Sequence, residues 1–141
     1  MHLNIQTAPG SKKTRWAGRV MSALVVLFML FDGVIKVIKL APAMEGTAQL
    51  GVPVSLVPTL GIIVLVCSAL YAIPRTAVLG AILLTGYLGG AAAIQMRVGN
   101  PLFTHVLFAV YIGVLAWAGL FLREDRLRAL IPLRSVSQEK A

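Results

Sequence analysis

An aspartate and a lysine lie four residues apart in FDGVIKVIKL, residues 31–40, inside an otherwise apolar stretch. On a helix, Asp32 and Lys36 share one face, and an acid placed before a base is the favourable order. Ionisable side chains are costly inside a bilayer and normally point inward, where they pair or meet water. The pair therefore predicts either a structural ion pair that satisfies its own charges or one part of a polar binding site.

More polar side chains are expected at the same height in the membrane. At about 1.5 Å per helical residue, Asp32 lies ~24 Å above the start of its helix, in the outer third of a ~30 Å core. Gln95 and Arg97 end a later apolar segment, and His105 begins the next one. The predicted ligand-binding residues are Asp32, Lys36, Tyr87, Gln95, Arg97 and His105, with Asn100 and Glu45 in the adjoining loops.

These side chains would donate hydrogen bonds to the oxygens of a lipophilic ring, which Tyr87 or Phe103 would flank. Simpler interpretations stay open, because Arg97 would also serve as a helix cap and His105 as an ordinary packing residue. One histidine, one aspartate and a glutamine are not a usual ligand set, so no metal site is predicted. The single cysteine, Cys67, excludes an internal disulfide and a CxxC motif. No catalytic residue is assigned.

The elements that position these residues are long and apolar. Of the 141 residues, 58% are hydrophobic and 13% are charged, against about a quarter charged in soluble domains. A membrane-spanning helix needs roughly 20 mostly apolar residues, which leaves room for four such helices. The sequence thus predicts an all-α membrane protein whose four transmembrane helices form an antiparallel up-and-down bundle. The predicted spans are 16–38, 54–73, 76–96 and 102–122.

Charge is concentrated at the two ends of the chain. With both termini on one side, ten Lys and Arg residues flank the spans on that side and three flank them on the other. Because Lys and Arg collect on the cytoplasmic side, both termini are predicted to be cytoplasmic. A net charge of +8 would also suit nucleic acid, but the basic residues flank apolar segments and no nucleic-acid motif is present. Membrane lipid is the expected partner, and nucleic acid is not.

The tails and connections are predicted from composition. Residues 1–14 are polar and predict a flexible cytoplasmic tail, and residues 135–141 predict a polar C-terminal tail. Between them, residues 15–134 form the membrane domain. The proline and glycine residues in APAMEGTAQLGVP, residues 41–53, predict a loop. Leucines interleaved with arginines after the last span predict a short interfacial helix that Pro132 ends.

The third span carries a pattern of small residues that recur every four positions. Such a row permits close backbone approach, through which helices associate in lipid. It predicts that the third span is the central, least lipid-exposed helix; the alternative is that the row leaves room for a ligand. The predicted helix-packing residues are Ala81, Thr85, Gly86, Gly89, Gly90 and Ala93.

The run IPRTAVLGAILLTGYLGGAAAIQMRVGNPLF, residues 73–103, resembles the DoxX-like family of small bacterial membrane proteins. The GVIK step at 33–36, the LGVP turn at 50–53 and WAGLFLR at 117–123 also match, so the resemblance covers most of residues 20–134. It implies a four-helix bundle in the bacterial inner membrane. Relatives in the wider group are associated with quinone-linked thiosulfate oxidation and with oxidative-stress enzymes, and distant ones resemble membrane chaperones or cargo receptors.

The chain departs from the family pattern at one position. Similar proteins usually read His-x-Arg-Val-Gly where this sequence has Gln95-Met96-Arg97-Val98-Gly99. A glutamine hydrogen-bonds, but it neither titrates nor ligates a metal well. The departure weakens any proton-transfer or metal mechanism at that position.

Three functions are compatible with the sequence. The resemblance favours a non-catalytic, accessory subunit of a quinone-linked redox system; the chain has no flavin, haem or iron–sulfur motif, so a partner would carry the electrons. The second is a scaffold, chaperone or oligomerising interaction protein, which the small-residue row supports equally well. The third is a small-solute channel or transporter, which requires an oligomer because four helices rarely enclose a path. A homo-oligomer or a membrane redox partner is therefore expected.

Overall fold

The computed structural model describes residues 12–130, and in this part of the chain the regular elements are all helical. The α-helices are α1 (Lys12–Val37), α2 (Ala41–Gln49), α3 (Val57–Ala72), α4 (Ala77–Arg97), α5 (Leu107–Arg123) and α6 (Asp125–Leu130). A 3₁₀ turn, Val54–Leu56, leads into α3, and a turn of π-helix, Leu102–Val106, leads into α5.

Four helical segments are long and apolar enough to cross a bilayer, as predicted. They are Lys12–Val37, Val54–Ala72, Ala77–Arg97 and Leu102–Arg123. The last three agree with the predicted bounds to within one residue. The first begins at Lys12, so residues 12–14, which were predicted as part of the tail, form the first turn of α1. A helix can extend beyond its apolar stretch into polar residues that are exposed to water. The rest of both predicted tails, and Pro132, lie outside the described residues, and the short helix predicted after the last span is α6.

The segment 41–53, predicted as a loop, contains a helix instead. Pro42 lies in the first turn of α2, where a proline is tolerated because the N–H it lacks would have no partner. The helix ends where the N–H of Gly51 donates to the carbonyl oxygen of Ala48, 2.9 Å away. Gly51 has a φ of 79°, the left-handed conformation that glycine adopts most readily. Proline and glycine therefore mark the ends of a helix here.

The four spans form a ring in which each has two neighbours. α1 packs against α3 and α5, and α4 packs against the same two helices. Among the described residues, α1 and α4 have no Cα atoms within 8 Å of each other. Ser22, in the first half of α1, meets Tyr71 at the end of α3. The largest fully buried side chains are those of Tyr71, Leu84, Leu120 and Val25, one from each span, so the core lies between all four spans.

Glycine permits two close crossings of α1 with its neighbours. Where α1 crosses α5, a Cβ on Gly18 would lie 2.7 Å from the carbonyl oxygen of Gly119. Where α1 crosses α3, a Cβ on Gly61 would lie 2.8 Å from the carbonyl oxygen of Gly33. Neither site has room for a side chain, so the helices meet backbone to backbone, which is how helices associate in lipid.

The small-residue row on α4 lies mostly outside this packing. Ala77, with which the four-residue spacing of the row begins, and Ala81 are buried. The other members are exposed within the chain: Thr85, Gly86, Gly89, Gly90 and Ala93. A Cβ on any of the three glycines would meet no atom within 4 Å.

The prediction that the third span is the most enclosed is therefore wrong. The buried share of that span is 28%, against 33% for Val54–Ala72. Small side chains permit a close approach without selecting the surface that makes it. In this chain, α1 meets α3 and α5 through glycines of those three helices, and α4 approaches the backbone of α3 at Gly80, which is not a member of the row.

Candidate functional site

Asp32 and Lys36 form the predicted ion pair near the end of α1. Lys36 Nζ lies 2.5 Å from Asp32 Oδ2, and the lysine and aspartate side chains are 14% and 25% exposed. The same nitrogen donates to the hydroxyl oxygen of Tyr87 on α4, 2.9 Å away, and lies 5.6 Å from the centre of its ring. Lys36 thus joins α1 to α4 and has one further hydrogen available for a ligand.

A cavity of about 400 Å³ opens beside this pair, and its volume lies in the range of small-molecule sites. Its walls come from α1, α2, α4 and the fourth span. The polar residues that line it are Asp32, Lys36, Thr47, Gln95 and His105. The remaining lining is apolar and includes Leu88, Ala91 and Ile112. Four of the six predicted ligand-binding residues therefore share one amphipathic cavity, and Tyr87 supports Lys36 from behind it.

Gln95 is held so that it is able to donate to a ligand. Its side-chain oxygen accepts a hydrogen bond from the side-chain amide of Asn100, which leaves the Nε2 group of Gln95 as the donor. His105 lies in the π-helical turn and is exposed at the cavity. Its Nδ1 lies 2.8 Å from Thr104 Oγ1, so Nε2 is the ring nitrogen left for a ligand.

Arg97 is exposed and does not line the cavity. Its Nη2 donates to the carbonyl oxygen of Leu50, 3.1 Å away, at the end of α2. A cation is favourable at a helix C-terminus, where unpaired carbonyl groups carry partial negative charge. The capping interpretation of Arg97 thus describes its contacts, although the helix that it caps is α2 and not its own. Through Leu50, Arg97 positions the helix that forms one cavity wall.

The aromatic side chains at the cavity differ from the predicted ones. Phe103 is 72% exposed and is not part of the lining, and Glu45 is exposed on α2. Phe28 and Phe108 line the cavity instead, with ring centres 5.4 Å apart in an edge-to-face arrangement. Phe28 lies one turn before Asp32, and Phe108 lies one turn after His105. Helical spacing from the polar residues is the signal that would have found both.

The opposite half of the core is packed around Tyr71. Its side chain is fully buried, and its hydroxyl group donates to the carbonyl oxygen of Ala116, 2.6 Å away. Ser22 Oγ lies 2.9 Å from the Tyr71 hydroxyl oxygen. The Arg123 guanidinium lies 5.3 Å from the ring centre and donates to the Tyr71 carbonyl oxygen, 3.2 Å away. These bonds join α1, α3 and α5 beneath the cavity.

The chemistry of the site is hydrogen bonding beside an aromatic wall. Lys36 and Gln95 donate, and Asp32 accepts through its second carboxylate oxygen. Within residues 12–130, no group of three or more His, Cys, Asp or Glu residues is placed to hold a metal ion.

Four long apolar helices with exposed hydrophobic side chains define a multi-pass membrane protein. The model of the DoxX-like family matches residues 20–119, well over half of the chain. The chain belongs to the DoxX-like family, as the sequence resemblance predicted. The match includes every residue that lines the cavity. No match was found among curated proteins or among solved structures.

Proposed function

We propose that the cavity beside Lys36 binds a lipophilic ring that carries carbonyl or hydroxyl oxygens, with a quinone as the leading class, and that the protein is a non-catalytic, accessory subunit of a membrane redox system. One observation carries the proposal. Lys36 Nζ, oriented by Asp32 and Tyr87, lies in the wall of a cavity whose other surfaces are largely apolar.

The shape and chemistry of the cavity support this class of ligand. A quinone has a flat apolar ring with oxygens at opposite edges, and it reaches a protein from the hydrocarbon phase. The remaining hydrogen of Lys36 and the Nε2 group of Gln95 would donate to its oxygens, from two different helices. Phe28 and Phe108 would flank the ring. A volume of about 400 Å³ suits a headgroup of this size better than a whole isoprenoid tail.

The role is accessory because these residues bind and orient a ring without carrying electrons. A partner redox protein would supply or accept the electrons, and the family resemblance points to such partners. The replacement of the usual histidine by Gln95 favours binding over proton transfer at this position.

Both termini are proposed to face the cytoplasm, with the spans antiparallel in a bacterial inner membrane and the cavity toward the periplasm. Ser22, in the first half of α1, contacts Tyr71 near the end of α3, and Gly33, in the second half of α1, lies against Gly61 near the start of α3; these two contacts support the antiparallel arrangement. The excess of Lys and Arg at the end that holds both termini supports the orientation.

A titration with a water-soluble, short-chain quinone tests the binding proposal in purified, detergent-solubilised protein. Gln95→Leu removes the donor at similar volume, and Gln49→Leu, exposed at the end of α2, makes the same exchange outside the cavity. Loss of one hydrogen bond should weaken binding about five- to tenfold in the first variant and leave the second unchanged. Ala91→Phe should fill the cavity and abolish binding, whereas Ala93→Phe, exposed on the outer face of α4, should not. Equal affinity in all four variants would refute the proposed site.

A second candidate function is an interaction protein, which the outer face of α4 favours. Gly86, Gly90 and Ala93 are exposed on that face, and they would permit the close approach of a helix from a second copy or another membrane protein. Crosslinking in native membranes tests this, with Gly86→Leu as the blocking variant. A channel function has less support, because the core below the cavity is filled by Tyr71 and its partners.

A further inference from the structure

A second cavity, of about 580 Å³, lies between α4 and α5 and shares the lining residues Leu88 and Ala109 with the Lys36 cavity. It is a groove on the side of the bundle, and Gly89, Gly113 and Ala118 are among the small residues that line it. A Cβ on Gly89 would meet no atom within 4 Å, and a Cβ on Gly113 would meet only Leu88 Cδ1, 3.8 Å away. Because glycine has no side chain, the surface is concave at these two positions.

The groove has no polar group left for a ligand. Its polar lining groups are the Thr85 hydroxyl and the Trp117 indole N–H. Trp117 Nε1 donates to Thr85 Oγ1, 2.7 Å away, and the Thr85 hydroxyl donates to the carbonyl oxygen of Ala81, also 2.7 Å away. Because both groups are satisfied within the chain, the groove suits hydrocarbon.

The length of the groove matches one leaflet of a membrane. Its α5 lining runs from Ala109 to Phe121, which at 1.5 Å per residue is about 18 Å, little more than half of a ~30 Å hydrocarbon core. A single acyl chain needs only one leaflet.

One end of the groove lies in the basic part of the molecule. Leu127 of α6 lines that end and is 4% exposed, and the preceding residue, Arg126, is exposed. Among the described side chains at the helix ends on this side, the basic ones are Lys12, Lys13, Arg15, Arg19, Arg75, Arg123 and Arg126, and the acidic ones are Glu124 and Asp125. The other side has Lys36, Lys39 and Arg97 against Asp32 and Glu45.

The basic residues at the groove are not equally available. Arg15 is paired with Asp125, with 2.7 Å between Nη2 and Oδ2, and Arg123 is engaged with Tyr71. Arg126 is exposed, makes neither of these contacts and is adjacent in sequence to Leu127, which lines the end of the groove. It is therefore the cation of this cluster that is best placed to meet a phosphate group.

We infer that the α4–α5 groove is a binding site for an anionic phospholipid, with one acyl chain in the groove and the headgroup phosphate at Arg126. This inference does not depend on the function proposed for the Lys36 cavity.

Native mass spectrometry of the full chain tests the inference, with phosphatidylglycerol and phosphatidylcholine of identical acyl chains offered in equal amounts. Near a surface, one Lys or Arg contributes about 1 kcal/mol to the attraction of anionic lipid, which is about fivefold in affinity. The wild-type chain should retain phosphatidylglycerol at least ~5-fold over phosphatidylcholine. Arg126→Gln should reduce that preference about fivefold, and Lys39→Gln, at the other end, should preserve it.

The groove itself is tested by a matched pair of adjacent glycines. Gly89→Leu places a side chain in the groove and should reduce retention of both lipids, whereas Gly90→Leu, equally open but outside the lining, should not. Retention unchanged in Gly89→Leu would overturn the acyl-chain site. Equal retention of the two lipids by the wild-type chain would overturn the headgroup assignment. Loss of a dimer peak in Gly89→Leu, with lipid retention unchanged, would assign the groove to a second copy and also overturn it.

Discussion

Replacing Lys36 by methionine is the most informative single change to the site. Methionine keeps much of the length of the side chain but removes the charge, the ion pair with Asp32 and the hydrogen bond to Tyr87. The aspartate is then left without its cation in the wall of the cavity. We expect a large loss of stability from the single variant and recovery when the aspartate is also neutralised.

The magnitude of this loss is limited by water. Two unit charges 2.5 Å apart attract by about 7 kcal/mol at an effective dielectric constant near 20, before desolvation is subtracted. Truncating one member of a buried pair costs about 3–5 kcal/mol. Because the side chains of Lys36 and Asp32 are 14% and 25% exposed, the expected loss for Lys36→Met is at the lower end, about 3 kcal/mol.

The assay is unfolding in mixed micelles by increasing the fraction of sodium dodecyl sulfate, followed by circular dichroism. The double variant Asp32→Asn/Lys36→Met should lie within about 1 kcal/mol of the wild-type free energy of unfolding, because no charge is left unpaired. Lys39→Met, three residues along and exposed, is the matched control and should change stability by less than ~0.5 kcal/mol.

Two results would refute this reasoning. If Lys36→Met were as stable as the wild type, the Asp32–Lys36 pair would be too well hydrated to contribute to the free energy of unfolding. If the double variant were as unstable as the single one, the loss would come from packing and the Tyr87 bond. The double variant also separates the two interpretations of the pair: restored stability with lost quinone binding would assign recognition to these residues, and retained binding would leave them a structural role.

Three further predictions address the scaffold. Tyr71→Phe should lower the free energy of unfolding by about 1–3 kcal/mol, because Ser22 and the Ala116 carbonyl lose a buried partner; an unchanged value would contradict the bonds described. Gly119→Ala places a Cβ 2.7 Å from Ser22 Oγ and should cost about 1–3 kcal/mol, whereas Gly90→Ala should be neutral or stabilising by up to ~1 kcal/mol; similar values for both would show that the crossing is not tight. Arg97→Gln should accelerate hydrogen exchange in α2 roughly two- to fivefold, from a loss of about 0.5–1 kcal/mol, with Arg75→Gln as the unaffected control. Exchange in α2 that is equal in these two variants would remove the capping role of Arg97.

Much of the fold follows from hydropathy alone. Three of the four spans were predicted to within one residue, because a bilayer sets the length of an apolar helix. The helix α2 was not predictable in the same way. Its sequence, APAMEGTAQ, has both proline and glycine, and only the position of Pro42 in the first turn makes a helix compatible with it.

The sequence predicted the depth of the site residues in the membrane but not the direction in which each side chain faces. Counting residues along each span places Asp32, Gln95 and His105 at one level, and these three do line one cavity. Arg97 and Phe103 lie at the same level and face elsewhere. The rotation of a helix about its axis depends on packing against its neighbours, and an almost uniformly apolar sequence gives little information about it.

The small-residue row on α4 shows the same limit. Its regular spacing is plain in the sequence, yet most of its members are exposed within the chain. The crossings that hold α1 use isolated glycines, Gly18 and Gly119 in one case, which form no conspicuous pattern. A pair of contacting positions on two helices cannot be identified from either helix alone.

The way in which α1 meets its neighbours determines how the molecule deforms. The crossings of α1 with α3 and α5 are rigid, because the helix backbones are in direct contact there and neither helix can shift along the other. By contrast, α1 is linked to α4 by the Lys36–Tyr87 hydrogen bond, and a side-chain hydrogen bond can exchange partners. A ligand that replaces either partner of the Lys36–Tyr87 hydrogen bond would loosen the contact between α1 and α4. The crossings of α1 with α3 and α5 would not change. Any movement of α4 would also shift its glycine-rich outer face, which is the surface that a second membrane protein would contact.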